Sequence, residues 1–276
     1  MLDEEGINEF KQQMLVDFNS RTNYDNKESF HPRVANRLIE LAPLQSGQKV
    51  LDVATGTGNV AIAAAKIVGS SGQVIGVDIA SGMLNQAKQK IEAAGLNNIE
   101  LMEADVEHLS FSDRCFDAII CSLAICYLTD IPAALRQWYR WLKTDGFVAF
   151  NCWAETAFTP SVLFRAVAQR YGIKVPNPNE PLGTIDRCDT LLKEAGFTDI
   201  DIKTEQFGWY YTPDASYAEG LWNINSKNPF GFQINQLSPE KLEQCKAEYF
   251  AHLEIEPTTE QGNWCDATAF FVLARK

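Results

Sequence analysis

The sequence predicts an α/β fold in which helices cover both faces of a largely parallel sheet, and three observations carry that prediction. Apolar runs of strand length, such as KVLDV at Lys49–Val53, alternate with segments whose apolar residues recur at helical spacing. The strand-like runs are apolar throughout rather than on alternate residues, as strands buried on both faces are. A tight glycine turn leads from the first of them directly into a helix, the junction of a β-α-β unit. With 276 residues the chain is long enough for a sizeable core, and it is read as one domain over 1–276. An N-terminal helical lid (1–46) precedes a core (47–153) and a C-terminal half (154–276).

The elements follow in order. Ile7, Phe10, Met14, Leu15 and Phe18 share a helical face, and Pro32 starts a second helix with Val34, Leu38 and Leu41 on one side. Gly47 ends it. The strand Lys49–Val53 enters the turn ATGTG, which continues as a helix from Asn59 to Val68. A second strand, Gln73–Val77, ends at Asp78. Ser81 is expected to cap the next helix, with Met83, Leu84, Ala87 and Ile91 inward and Gly95 closing it. Ile99–Met102 and Phe116–Cys121 read as the third and fourth strands, followed by Asp105 and Ser122. Asp130 and Pro132 open a helix burying Leu135, Trp138 and Leu142, and Phe147–Asn151 reads as the fifth strand.

Beyond this point the pattern changes. Pro160–Tyr171 looks helical, and a proline-rich loop, IKVPNPNEPLG, follows. Asp186 is expected to cap a helix ending at Gly196. Ile200–Phe207 and Ala267–Ala274 read as strands. Between them, at about residues 208–265, lies an insert rich in aromatics, including Trp209, Tyr211, Tyr217, Trp222 and Phe230, with a helix from Ser238 and Pro239 to Leu253. The insert is either a satellite hydrophobic cluster or a lid and pocket wall for an apolar acceptor. The second reading is preferred and makes Trp209, Tyr211, Trp222 and Phe230 the candidate substrate-pocket residues.

Composition narrows the partners. Acidic residues outnumber basic ones 36 to 24, a net charge of −12, with no basic stripe, which argues against nucleic acid. No apolar run is long enough to span a bilayer, and the N-terminus MLDEEGINEF is acidic where a signal peptide is basic. Seven cysteines form no C-x-x-C pair and no zinc-like cluster, so reduced thiols in the cytoplasm are expected and no metal. Oligomeric state is left open.

The chemistry gathers at VLDVATGTGNV. Gly56 and Gly58 let a ligand approach the main chain closely, and the start of the following helix offers free N–H groups. Asp78, 20 residues beyond Gly58, is acceptor-only and suits the paired donors of a ribose diol. Strand, glycine turn, helix, strand and acid together read as a nucleoside-binding unit. Asp52 either stabilises a cationic ligand or holds the loop N–H groups; both readings stay open.

Four motifs in sequence, VLDVATGTGN, VIGVDIASGMLNQAK, IELMEADVEHLSFSDRCFDAIICS and ALRQWYRWLKTDGFVAF, make Gln48 to about Trp153 resemble the class I S-adenosylmethionine-dependent methyltransferases. The similarity is strongest to the ubiquinone and menaquinone biosynthesis type. Beyond Trp153 only a helix, EAGF and two closing strands match. The resemblance implies a Rossmann-like seven-stranded sheet, mostly parallel with an antiparallel last strand, with the insert between the last two strands.

By resemblance, Thr57 with the Gly56 and Gly58 backbone holds the methionine end of the cofactor, and Asp78 accepts the ribose hydroxyls. Ile79 packs on the adenine, Asp105 binds its amino group, and Val106 offers a backbone N–H. Ser122 lines the methionine portion, and Tyr24 closes over the carboxylate. Two departures stand out: Thr144-Asp145-Gly146 replaces the family's PGG, and Ala54 replaces the first turn glycine, leaving less room. No catalytic residue is assigned; His31 is the best candidate base. The expected acceptor is a small apolar or aromatic molecule, a quinone precursor or secondary metabolite. Two alternatives remain: a nicotinamide-dependent oxidoreductase and a non-catalytic cofactor-binding relative.

Overall fold

Strand and helix bounds follow the apolar pattern closely. The computed structural model describes residues 4–22, 24–25, 30–212, 214–255 and 259–276. Its strands are β1 (Lys49–Val53), β2 (Gln73–Asp78), β3 (Ile99–Glu103), β4 (Phe116–Ser122), β5 (Leu142–Trp153), β6 (Thr198–Gln206), β7 (Trp209–Tyr211), β8 (Asn263–Cys265) and β9 (Thr268–Arg275). The helices are α1 (Glu4–Ser20), α2 (His31–Leu41), α3 (Asn59–Val68), α4 (Ser81–Ala93), α5 (Ile131–Trp141), α6 (Thr159–Arg170), α7 (Ile185–Ala195), α8 (Ala215–Lys227) and α9 (Pro239–Ile255). The chain divides into two compact units, each assembled from separated stretches.

The larger unit comprises Phe18–Cys152, Pro181–Thr204 and Phe270–Lys276. Its sheet has seven strands in the order β3-β2-β1-β4-β5-β9-β6. β1 lies between β2 and β4, parallel to both, with Asp52 opposite Gly76 on one side and Ile120 on the other. The order reverses at β1, the switch point where ligands of open α/β sheets bind. β9 runs against its neighbours: Ala154 N–H donates to the Thr268 carbonyl (2.9 Å) near one end, and Lys276 N–H to the Gly146 carbonyl (3.0 Å) at the other. The single antiparallel strand is therefore the last one, as expected.

The apolar runs are buried as predicted: Val50, Leu51, Ile119, Ile120 and Phe150 have no exposed surface. Phe111 meets Phe116 and Trp141 edge-on at 5.0 Å. Burying each such side chain contributes about 1.5–3 kcal/mol.

Several boundaries differ from expectation for local reasons. β5 starts at Leu142 because Leu142 pairs with Phe116 ahead of a bulge, after which Phe147 pairs with Ala118. The Thr144-Asp145-Gly146 departure falls in that bulge, where Asp145 has φ +64°. Ser81 is the first residue of α4 and not its cap; Ala80 occupies the cap position, and its own N–H donates to Asp78 (2.9 Å). Thr184 caps α7 in place of Asp186, its hydroxyl accepting from Arg187 N–H. Asp130 caps α5 as predicted.

The smaller unit comprises residues up to Asp17, Trp153–Glu180 and Glu205–Ala269. Here α6, α8 and α9 enclose a core in which Phe164 packs on Trp222 (5.4 Å) and Tyr249 (5.7 Å), with Val167, Ile234 and Leu253 around them. β7 and β8 form a separate antiparallel pair, Trp209 opposite Cys265. Neither that pair nor α8 is evident in the sequence, where their aromatics read only as a cluster.

Candidate active site

The turn after β1 folds by taking left-handed conformations that only small residues reach cheaply. Ala54, Gly56 and Gly58 have φ of +52°, +55° and +81°. A side chain at Gly58 would press on Ala87 of α4 (3.2 Å), whereas the same position at Gly56 meets nothing nearer than the Ala54 carbonyl at 4.0 Å. Gly58 is thus needed for packing, and Gly56 leaves its backbone open to approach.

Two acids hold the turn. Asp52, only 1% exposed, accepts from the Thr55 hydroxyl (2.5 Å) and from Ala61 N–H. Burial pushes its carboxyl up to about 7, with the Asp78 charge adding to the rise against those two hydrogen bonds. Its carboxylate therefore faces the loop. Asp78, at the tip of β2, accepts from Gly56 N–H (2.8 Å) and Ala80 N–H (2.9 Å), tying the glycine turn to the next strand end. Burial raises its carboxyl too, against backbone hydrogen bonds from Ala80, Gly56 and Ile79.

The tips of β3 and β4 carry the next groups. Asp105 accepts from Glu107 N–H (3.0 Å) and lies 3.2 Å from His108, at the start of a short 3-10 turn that buries Val106. Glu107 in turn accepts from the Thr129 N–H and hydroxyl, both 2.9 Å, fixing the chain ahead of α5. Past β4, Leu123 takes φ +57°, and its N–H donates to Asn151 of β5 (2.7 Å). Asn151 is completely buried; it also reaches Ser122 and the Val34 carbonyl of α2, both at 3.4 Å.

A segment following α1 is fastened to this edge. Asp25 accepts from the Thr57 hydroxyl (2.5 Å), Asn59 (2.8 Å) and Lys90 of α4 (2.8 Å). Burial works to raise its carboxyl, but the hydrogen bonds from Lys90, Thr57 and Asn59 outweigh it and hold the group below its ordinary value. Asn19 and Arg21 bind Gly82 and Gln86 of α4 through further hydrogen bonds. The Tyr24 ring lies 4.2 Å from that of His31, and burial pushes its phenol up. His31 is pushed down to about 4 by burial and by Arg21, so its ring is neutral at pH 7.

Tyr24, His31, Asp52, Gly56, Thr57, Gly58, Asp78, Ile79, Asp105, Val106 and Ser122 all belong to the larger unit, at or beside the carboxyl ends of β1 to β4. Asp25, Asn59, Lys90 and Asn151 were not evident as site residues. Only the adjacency of Asp25 to Tyr24 offered a signal for any of them. The four candidate pocket residues lie in the smaller unit. Trp222 is part of its core, Trp209 donates to the Tyr217 hydroxyl (3.2 Å), and Tyr211 stacks on Tyr217 at 4.7 Å. Phe230 lines a cavity there; the other three do not. Among the described residues, no group of three or more acidic, Cys or His side chains is placed to hold a metal. No described helix is long and apolar enough to cross a membrane.

A glycine turn at the switch point of a parallel sheet, with an acid at each of the next two strand tips, defines an α/β protein of the Rossmann-like, nucleoside-binding class. Comparison with known proteins makes this specific. A family described as a methyltransferase domain matches residues 50–146. Over 179 residues the chain is 37% identical to the ubiquinone/menaquinone biosynthesis C-methyltransferase UbiE of Haemophilus ducreyi, covering 59% of this chain and 69% of the relative. It is 36% identical over 193 residues to the aklanonic acid methyltransferase DauC of a Streptomyces species, covering 67% and 87%. The solved structure of YcgJ from Bacillus superposes with a TM-score of 0.62 at 17% identity, covering 89% of this chain and 99% of the other.

The chain belongs to the class I S-adenosylmethionine-dependent methyltransferases. Its cofactor is S-adenosylmethionine and its reaction methyl transfer, not the hydride transfer that the glycine turn alone also allows.

Proposed function

We propose that the chain methylates a small apolar or aromatic acceptor, a quinone precursor or secondary metabolite, with the cofactor held along the tips of β1 to β4. The hydrogen bond from Gly56 N–H to Asp78 is the observation that carries the cofactor assignment. It brings the open backbone of the turn and an acceptor-only carboxylate together; with the Gly56, Ala80 and Ile79 N–H groups already on it, Asp78 keeps about one of its roughly four lone-pair sites for a ribose hydroxyl. The open space beside Gly56 fits a ligand lying close to the main chain.

In this reading Asp78 binds the ribose, Ile79 and Val106 border the adenine, and Asp105 takes the adenine amino group. Thr57 and the turn backbone serve the methionine end, Ser122 flanks it, and Tyr24 closes over it. Asp52 acts indirectly, by holding Thr55 and the start of α3. When bound, the cofactor supplies a methyl group on a sulfonium, an already activated leaving group. The residues therefore need chiefly to align the acceptor and exclude water. His31, pushed down to about 4, is a weak base, which suits a reaction driven by alignment.

The acceptor class draws on the names of the relatives, a quinone-pathway C-methyltransferase and an aklanonic acid methyltransferase. A net charge of −12 supports a small-molecule acceptor over nucleic acid, and seven free cysteines suit the cytoplasm. The test of the cofactor site is calorimetric titration of Asp78→Ala with S-adenosylhomocysteine. Loss of charge-assisted hydrogen bonds should weaken binding by about 2 kcal/mol, roughly thirtyfold. An unchanged dissociation constant would refute the ribose assignment. Methyl-labelled cofactor offered with a panel of quinols and phenolic acids then identifies the acceptor; transfer to none of them would refute the acceptor class.

A further inference from the structure

The proline-rich loop holds none of the residues assigned to the cofactor, yet it builds one wall of a cavity of about 110 Å³ that lies entirely within the smaller unit. Pro176 and Pro178 fix the backbone on either side of Asn177, whose amide donates to the Glu155 carbonyl (3.0 Å) and whose carbonyl accepts from Asn179 N–H (3.2 Å). That arrangement leaves Asn179 facing the cavity. It is 7% exposed, its side chain makes no hydrogen bond among the described residues, and it is not among the sealed polar atoms. Phe158, Phe164 and Phe230 supply apolar walls.

Arg165 of α6 also lines the cavity. Among the described residues it has no ion-pair or hydrogen-bond partner, and burial alone lowers its guanidinium from the ordinary value. No Asp or Glu lines this cavity. A partly buried guanidinium without an anion loses some of its hydration, and one that shares a cavity with an uncommitted amide and aromatic walls has the composition of a ligand site. A cavity of about 150 Å³ is known to hold benzene, so this one seats the anionic end of a small molecule and its first few carbons.

We propose that Arg165, Asn179 and Ser161, which line one cavity, form a binding site for a small organic carboxylate with a flat apolar body. The guanidinium takes the carboxylate, the amide donates a further hydrogen bond, and the phenylalanines border the carbons next to the carboxylate, the rest of the body lying at the open mouth of the cavity.

Benzoate and its neutral isostere benzamide are the probes, titrated by calorimetry into the full chain without cofactor, so the result is independent of the methyl-transfer reading. Benzoate should bind at least about tenfold more tightly than benzamide, and Arg165→Gln should remove that preference. Arg165→Lys should keep part of it. Because Arg165 lacks a partner, Arg165→Gln should not lower the melting temperature, whereas loss of a structural ion pair would. Should that variant fail to fold, Asn179→Asp places a carboxylate in the same cavity as the guanidinium and should abolish benzoate binding while sparing benzamide. Equal affinity for the two probes in the native chain, or benzoate binding unchanged in Asn179→Asp, overturns the proposal.

Discussion

Replacing Asp52 with Asn isolates what it costs to keep an acid beneath the glycine turn. In the folded chain burial lifts this carboxyl from 3.8 to about 7. A rise from 3.8 to about 7 corresponds to ~4 kcal/mol between the protonated and ionised forms. Because the folded value lies above the unfolded one, the folded state binds the proton more tightly. The group's contribution to stability is therefore complete below about pH 3.8 and is lost as pH rises through 7. Asparagine has nearly the same shape. Its carbonyl can accept from Ala61 N–H, and its amide can donate to the Thr55 hydroxyl once that hydroxyl turns its proton away. The variant should consequently gain on the native protein by ~4 kcal/mol between about pH 4 and pH 8, with most of the change between about pH 4 and 7. Urea unfolding of both proteins across that range, followed by amide exchange at Leu51 and Val53 in β1, measures the difference. A difference that stays constant with pH would show that Asp52 is ionised throughout and that the burial argument fails.

Asp25 titrates in the opposite sense. Its carboxyl is held below the ordinary 3.8, so its contribution is present above that value and fades as pH falls through the lower folded one. Asp25→Asn should speed amide exchange in residues 18–22 by an amount equivalent to about 1 kcal/mol at pH 7, a figure kept small because Lys90 is 37% exposed. Native-like protection in the variant would refute the role assigned to Asp25. In the smaller unit, Trp222→Ala should cost about 3–5 kcal/mol, seen as faster exchange across α6, α8 and α9. Unchanged exchange there would mean that Trp222 is not part of the core.

What the sequence made legible was whatever depends on near neighbours. β1, α3 and the turn between them could be placed to the residue because apolar runs and glycines act locally. The capping of α5 by Asp130 was legible for the same reason. Where two candidates stood close together, local reasoning chose wrongly: Thr184 lies two residues before Asp186 and has the extended backbone that a cap requires. At α4 the expected side-chain cap was displaced by a strand-end acid, Asp78, which binds the residue ahead of the helix. The 3-residue strands β7 and β8 pair across more than fifty intervening positions, and so short a strand has no periodicity to detect.

The site residues that escaped notice share one property: each acts through a partner remote in sequence. Asp25 meets Lys90 across 65 positions and Asn59 across 34; Asn151 meets Val34 across 117. Taken alone, an Asp after a tyrosine or an Asn at the end of an apolar strand has no distinguishing pattern. The structure gives Asn151 a reason to be polar while having no surface exposed, since the left-handed turn at Leu123 points an N–H at it that β4 no longer satisfies. An apolar residue of the same size would bury that N–H without a partner, at about 1–3 kcal/mol. The residues that shape the candidate site are thus divided by physics into two kinds. Those offering backbone or a strand-tip acid could be read in order along the chain. Those holding that edge in position become visible only when the strands are laid side by side.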